Sequence, residues 1–123
     1  MPGSGRVEVE FEWSRGALAR GLAHYNNASY FEAHEEWEDL WRQAAGLEKT
    51  LLQALIQLSV AFCHRQRGNP AGFRSMLGKS IERFKLCPDA LAGLEVSRIR
   101  AEAEEWFAAN SSGSLPASPP RIL

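Results

Sequence analysis

The sequence predicts an all-α fold: a compact bundle of about five helices around a buried central helix, with an extended N-terminal arm and a disordered C-terminal tail. Apolar residues recur at helical spacing in five segments, and the breaks between them carry asparagine, glycine or proline. One segment, residues 50–64, has no charged side chain, as expected of a helix enclosed by the others. With 123 residues, 45% of them hydrophobic, the chain can fill one core but not two. The boundaries read as an arm over 1–13, a helical domain over 14–109 and a flexible tail over 110–123.

The arm ends in VEVEFEW, an alternation with no second strand to pair with, and is expected to lie extended and to pack through Phe11 and Trp13. The first helix spans Ser14 to about Asn26, with Leu18, Leu22 and Tyr25 on one side and Asn26-Asn27 as its polar stop. Ser29 followed by Glu32 has the form of a capping box, so the second helix starts near Tyr30 and runs to about Ala45, before Gly46. The third runs from about Leu47 to Arg67, antiparallel to the second across a short loop. Gly68-Asn69-Pro70 then ends one helix and opens the next, asparagine as cap and proline in the first turn. Phe73, Leu77, Ile81 and Phe84 mark the fourth helix, which cannot pass Pro88. After a turn at Pro88–Gly93, the fifth helix is marked by Val96, Ile99, Ala103 and Trp106. The tail NSSGSLPASPPRIL has the composition of a disordered segment.

Composition excludes several classes of function. Fourteen basic against 15 acidic residues leave a formal net charge of -1, so neither nucleic acid nor a membrane surface is expected as a partner. Arg65, Arg67, Arg74, Lys79, Arg83 and Lys85 concentrate positive charge, but without a nucleic-acid motif they read as a solvated face. Cys63 and Cys87 lack any C-x-x-C spacing and read as packing residues, and the N-terminus lacks the order of a signal peptide. A cytoplasmic protein is expected. The uncharged run of the third helix falls short of the roughly 20 apolar residues of a membrane span.

The candidate site lies in SYFEAHEEWEDLWRQ, residues 29–43. At about 100° per residue from Tyr30, Trp41 falls near 20°, His34 near 40°, Glu38 near 80° and Phe31 near 100°, so an imidazole and a carboxylate sit inside an aromatic arc. Glu32, Glu35, Glu36, Asp39 and Gln43 fall on the opposite, solvated side. HEEWE is not the zinc-protease H-E-x-x-H pattern, because no second histidine follows. On the third helix Gln53, Gln57 and His64 form a narrow neutral polar stripe, expected to face His34 and Glu38.

Three uses of such a pocket stand open. His34 and Glu38 are a satisfied structural pair, with the stripe at the solvent edge. Or His34, Glu38 and His64 hold a divalent metal, two imidazoles and one carboxylate with positions left for water. Or neutral His34 is a general base oriented by Glu38, with Gln57 or His64 binding a carbonyl or anionic group of a small ligand. Arg42, four residues after Glu38, weighs against the metal, since it supplies the carboxylate with a cation.

His34-x-x-x-Glu38-x-x-Trp41 after YFEAH, then LLQALIQLSVAFCH and GNPAG, resemble the family called domain of unknown function 309, over roughly residues 14–108. The resemblance implies an all-helical fold of a kind found in bacteria and archaea and names no reaction. It implies His34, Glu38, Trp41, Gln53, Gln57, His64 and Asn69 as the motif positions; their roles are read from the residues themselves, His34 and Glu38 as catalytic candidates and Trp41, Gln53, Gln57 and Asn69 as ligand-binding ones. Two residues depart from the pattern: Ala28 and Ala54 stand where the family often has glycine, and Ala54 puts close helix packing there in doubt. A non-catalytic binding or structural module is the favoured function, and a metal-dependent or general-base enzyme, a hydrolase among them, the alternative. An unidentified small molecule or protein is the expected partner, and homo-oligomerisation stays open.

Overall fold

The protein is described by a computed structural model over residues 11–123. Five helices follow in order: α1 Gly16–Asn26, α2 Tyr30–Gln43, α3 Gly46–Gln66, α4 Pro70–Phe84 and α5 Val96–Ser112. Each begins and ends within a few residues of the position its apolar spacing and break residues indicate. The all-α expectation holds, with one small addition. Within Pro88–Gly93 and just beyond it, β1 Ala90–Leu91 and β2 Leu94–Glu95 pair antiparallel around a two-residue turn. Ala92 at φ 54° and Gly93 at φ 80° give that turn the doubly positive backbone that matches the twist of a hairpin.

Helix α3 is the central element. Leu51, Leu52, Leu55, Leu58 and Phe62 are all buried, and α2 and α4 pack on either side of it. Burial nearly all round explains why its sequence carries no charge over 50–64. Two contacts fix α2 antiparallel to α3: Lys49 Nζ at the start of α3 lies 4.5 Å from the ring centroid of Trp41 at the end of α2, while His64 and Arg67 meet Phe31 and His34 at the opposite end. The packing of α4 on α3 is close despite Ala54, because the buried Ser80 hydroxyl donates to the Ala54 carbonyl at 2.7 Å. That bond satisfies the only polar atom Ser80 brings into the core.

A run of aromatic rings joins all five helices. Tyr25 of α1 meets Tyr30 of α2 edge-on at 5.3 Å, Tyr30 meets Phe62 of α3 at 5.6 Å, and Phe62 meets both Phe73 of α4 and Trp106 of α5, at 5.2 and 5.1 Å. Edge-to-face pairs of this kind add roughly 0.5–1.5 kcal/mol each beyond the area they bury. Arg65 and Arg74 lie over the outer faces of Trp106 and Phe107, so part of the basic cluster covers the rim of the core.

The capping box does not form. Ser29 makes no side-chain cap; its amide donates to the His24 carbonyl at 2.8 Å, and the preceding Ala28 takes a left-handed backbone at φ 61°. The tight turn that this produces directs Ser29 away from the amides it would cap. Gln66 Nε2 donates to the Ala28 carbonyl at 2.8 Å, tying the turn to the end of α3. Asn69, by contrast, caps α4 as its position indicates, its Oδ1 accepting from the Gly72 amide at 3.0 Å.

Of the expected arm, residues 1–10 lie outside the described residues. Phe11 and Trp13 pack against the core, and Trp13 Nε1 donates to the Ala92 carbonyl at 2.9 Å, so this segment braces the hairpin. The C-terminal tail is irregular, with no helix or strand beyond residue 112, yet it is anchored to the domain. Tyr25 Oη donates to the Pro120 carbonyl at 2.6 Å, Trp106 Nε1 to the Ser118 carbonyl at 2.9 Å and Arg98 to the Arg121 carbonyl at 2.7 Å, and the Ile122 side chain is fully buried. Composition reported the lack of helix periodicity but not these anchors, each of which is a single residue. No helix of the described residues is long and apolar enough to cross a membrane.

Candidate functional site

The start of α2 and the end of α3 enclose a cleft of about 160 Å³, lined by Phe31, His34, Val60, Cys63, His64 and Arg67. Antiparallel packing accounts for it. Each helix presents residues three or four apart on the facing side, so His34 falls beside Phe31, and His64 beside Val60 and Arg67. Phe31 is 43% exposed, which corrects its expected place in the core arc: Tyr30 and Trp37 take the interior and leave Phe31 to wall the cleft.

His34 is oriented by its own helix. Its Nδ1 lies 2.6 Å from the Phe31 carbonyl, an acceptor only, so in the neutral ring Nδ1 carries the proton. Nε2 therefore bears the lone pair and makes no hydrogen bond among the described residues. Glu38 Oε2 is 3.9 Å from Nε2, too far for a direct bond, and Glu38 Oε1 accepts from Arg42 Nη2 at 3.0 Å. Glu38 is not buried but 40% exposed, and it does not orient His34, which is held from the other nitrogen. The cation it needs comes from Arg42, which also holds Asp39 at 2.7 Å.

His64 is set the opposite way. Because Asn69 Oδ1 accepts from the Gly72 amide, the amide nitrogen of Asn69 is the end that faces His64 Nδ1, at 3.2 Å. Nδ1 is then the acceptor, and the proton of the neutral ring resides on Nε2. Gly72 is part of this arrangement: a β-carbon there would fall 2.8 Å from His64 Cγ and Nδ1 and 2.6 Å from Asn69 Nδ2, so no side chain fits. The cleft thus holds two imidazoles fixed in complementary states, one offering a lone pair and the other an N–H.

The remaining expected residues lie elsewhere. Glu38, Trp41, Gln53, Gln57 and Asn69 do not line the cleft. Trp41 packs half-buried under Lys49, its Nε1 buried without a partner; Gln57 Oε1 is likewise buried and unpaired among the described residues. Gln53 is half-buried on α3, and Asn69 acts on the site through His64.

The same geometry does not bring the three metal candidates together. Among the described residues no group of three His, Cys, Asp or Glu could hold a metal ion, His34, Glu38 and His64 included. Glu38 is committed to Arg42. Binding a cation through His64 Nε2 would move the ring proton to Nδ1, against the donor of Asn69.

Val60, Cys63, Arg67 and Gly72 escaped the sequence reading. Arg67 had a signal, lying three residues after His64 and so on the same face. Gly72, three residues after the capping Asn69, stands where a cap and its neighbours crowd the first turn. Cys63 is a buried free thiol whose part in the cleft no local pattern announces.

A protein of Aquifex aeolicus (strain VF5), described as "Uncharacterized protein", is 27% identical to this chain over 93 residues, 75% of the chain. The chain spans only 28% of the length of that relative. The family model described as "Domain of unknown function (DUF309)" matches residues 18–76, a stretch that contains all but the first two residues of α1, the whole of α2 and α3, the cleft and the Asn69–Gly72 cap. Over these residues, just under half of its length, the chain is similar to the family of domain of unknown function 309.

Proposed function

We propose that the cleft between α2 and α3 is a small-molecule binding site and that the chain works as a binding module. One observation carries this reading: His34 and His64 line the same cleft, each fixed by one ring nitrogen and unbonded at the other, in opposite tautomers. Both rings are partly exposed, so the second nitrogen of each is open to solvent and to a ligand in the cleft. Here the complementary nitrogens are left for a ligand with both an acceptor and a donor. The space, about 160 Å³, exceeds the ~30 Å³ share of one water and is below the roughly 300 Å³ of sites for drug-sized molecules, which sets the scale of the ligand.

Long-range nitrogen–proton NMR spectra of the two imidazoles test the premise, and a fragment titration tests the reading. Fragments of a few heavy atoms should shift the His34 and His64 ring signals together, and His64→Phe should abolish the shift. A library that leaves both rings unmoved would remove the binding site.

The lone pair on His34 Nε2 also supports general-base catalysis, with the Phe31 carbonyl as the orienting group. Turnover of a bound fragment by the native protein, lost in His34→Gln while binding persists, would decide for it.

A further inference from the structure

We infer that the ligand group taken by this cleft is a phosphomonoester; the inference rests on the cleft being a binding site and adds the chemistry of its occupant. The six lining side chains include no carboxylate. Arg67 lies with its guanidinium 5.7 Å from the Phe31 ring centroid and has no ion pair among the described residues. Arg67 and His64, whose Nε2 carries a proton, both line the cleft, and together they suit an anion with several acceptor oxygens.

His34 narrows the choice. Its Nε2 lone pair needs an O–H or N–H donor at the same place. A carboxylate or a sulfate ester offers oxygens only, and would set a lone pair against a lone pair. A phosphomonoester titrates near pH 6, so around that pH about half of it is the monoanion, which brings anionic oxygens for Arg67 and His64 and an O–H for the contact with His34. Phe31, Val60 and Cys63 give the rest of the cleft an apolar wall, which suits an ester carrying an aromatic or aliphatic group.

Phenyl phosphate, phenyl sulfate, benzoate and phenol are the probes, each titrated at about pH 6, where the phosphate keeps its proton in part, into the full chain by calorimetry and by NMR of the imidazoles. Phenyl phosphate should bind at least tenfold more tightly than phenyl sulfate or benzoate. Arg67→Gln should weaken all three anions by tenfold or more, and His34→Phe should erase the preference for phosphate over sulfate. Thermal melts confirm that each variant folds. Equal binding of sulfate and phosphate by the native chain overturns the inference, as does binding of phenol alone, and in both cases the small-molecule site stands. If none of the four probes moves either imidazole, the phosphomonoester inference fails; if the fragment library moves neither as well, the binding site fails with it.

Discussion

Gly21 of α1 sits directly against the indole of Trp37 of α2, so close that a β-carbon on residue 21 would overlap the ring. Trp37 is fully buried, and its Nε1 points at the Leu18 carbonyl 3.4 Å away, so the ring cannot swing clear without opening the α1–α2 contact.

Gly21→Ala therefore sets two effects against each other. Alanine gains up to about 1 kcal/mol of helix propensity, whereas forcing a methyl into a packed core costs about 1–3 kcal/mol. Because the clash is with a fully enclosed ring, packing wins, and denaturant unfolding should show a net loss of about 1–2 kcal/mol. An unchanged midpoint would mean that the two helices can part at no cost.

The helices were legible because each carries several apolar residues that repeat at one period, and a repeated signal survives one or two misreadings. Single residues that report on partners far along the chain were not. Periodicity showed that His34 and His64 belonged to facing stripes, but which nitrogen of each is engaged depends on a carbonyl at Phe31 and an amide at Asn69. Glu38 shows the opposite failure. It shares the helical face of His34, yet a four-residue step to Arg42 draws its carboxylate to the rim. The capping box of Ser29 and Glu32 fits its motif and still gives way to a turn set by Ala28 and Gln66.

Ala28, at φ 61°, occupies a backbone region that costs a side-chain-bearing residue about 1–2 kcal/mol. Ala28→Gly relieves that cost and gives back part of it as unfolded-chain entropy. The expected result is a gain of about 0.5–1 kcal/mol, read from the urea midpoint.

Asn69→Ala and Asn69→Asp separate the two duties of that side chain. Alanine should cost about 1 kcal/mol through loss of the α4 cap and release His64 to a mixture of tautomers. Aspartate keeps an oxygen for the Gly72 amide but presents a second acceptor to the ring, so the His64 proton should move to Nδ1. Side-chain nitrogen shifts distinguish the three states, and a His64 ring that ignores both changes would show that Asn69 does not set its tautomer.

Tyr25→Phe removes the hydroxyl that binds the Pro120 carbonyl and should cost about 1 kcal/mol near neutral pH. In the native chain burial, with Tyr30 and Glu102 adding to it, pushes the Tyr25 phenol well above its ordinary value. The neutral form is thus the one the fold favours. Its contribution is whole below about pH 10, where the unfolded tyrosine titrates, and is lost as the pH rises through the higher folded value. Melting temperatures should run parallel for the two chains up to about pH 10 and, above it, fall more steeply for the native chain than for Tyr25→Phe.

The bond between Tyr25 and Pro120 joins positions 95 residues apart, while each helix packs chiefly on the one before and the one after it. On a ribosome adding about 5–20 residues per second, α1 and α2 are complete roughly 4–15 s before Pro120 exists. For that interval the Tyr25 hydroxyl has no acceptor from the tail, and the nascent bundle is open at one side. Helix pairing can proceed as each segment emerges, but residues 118–122 are the ones that shut it.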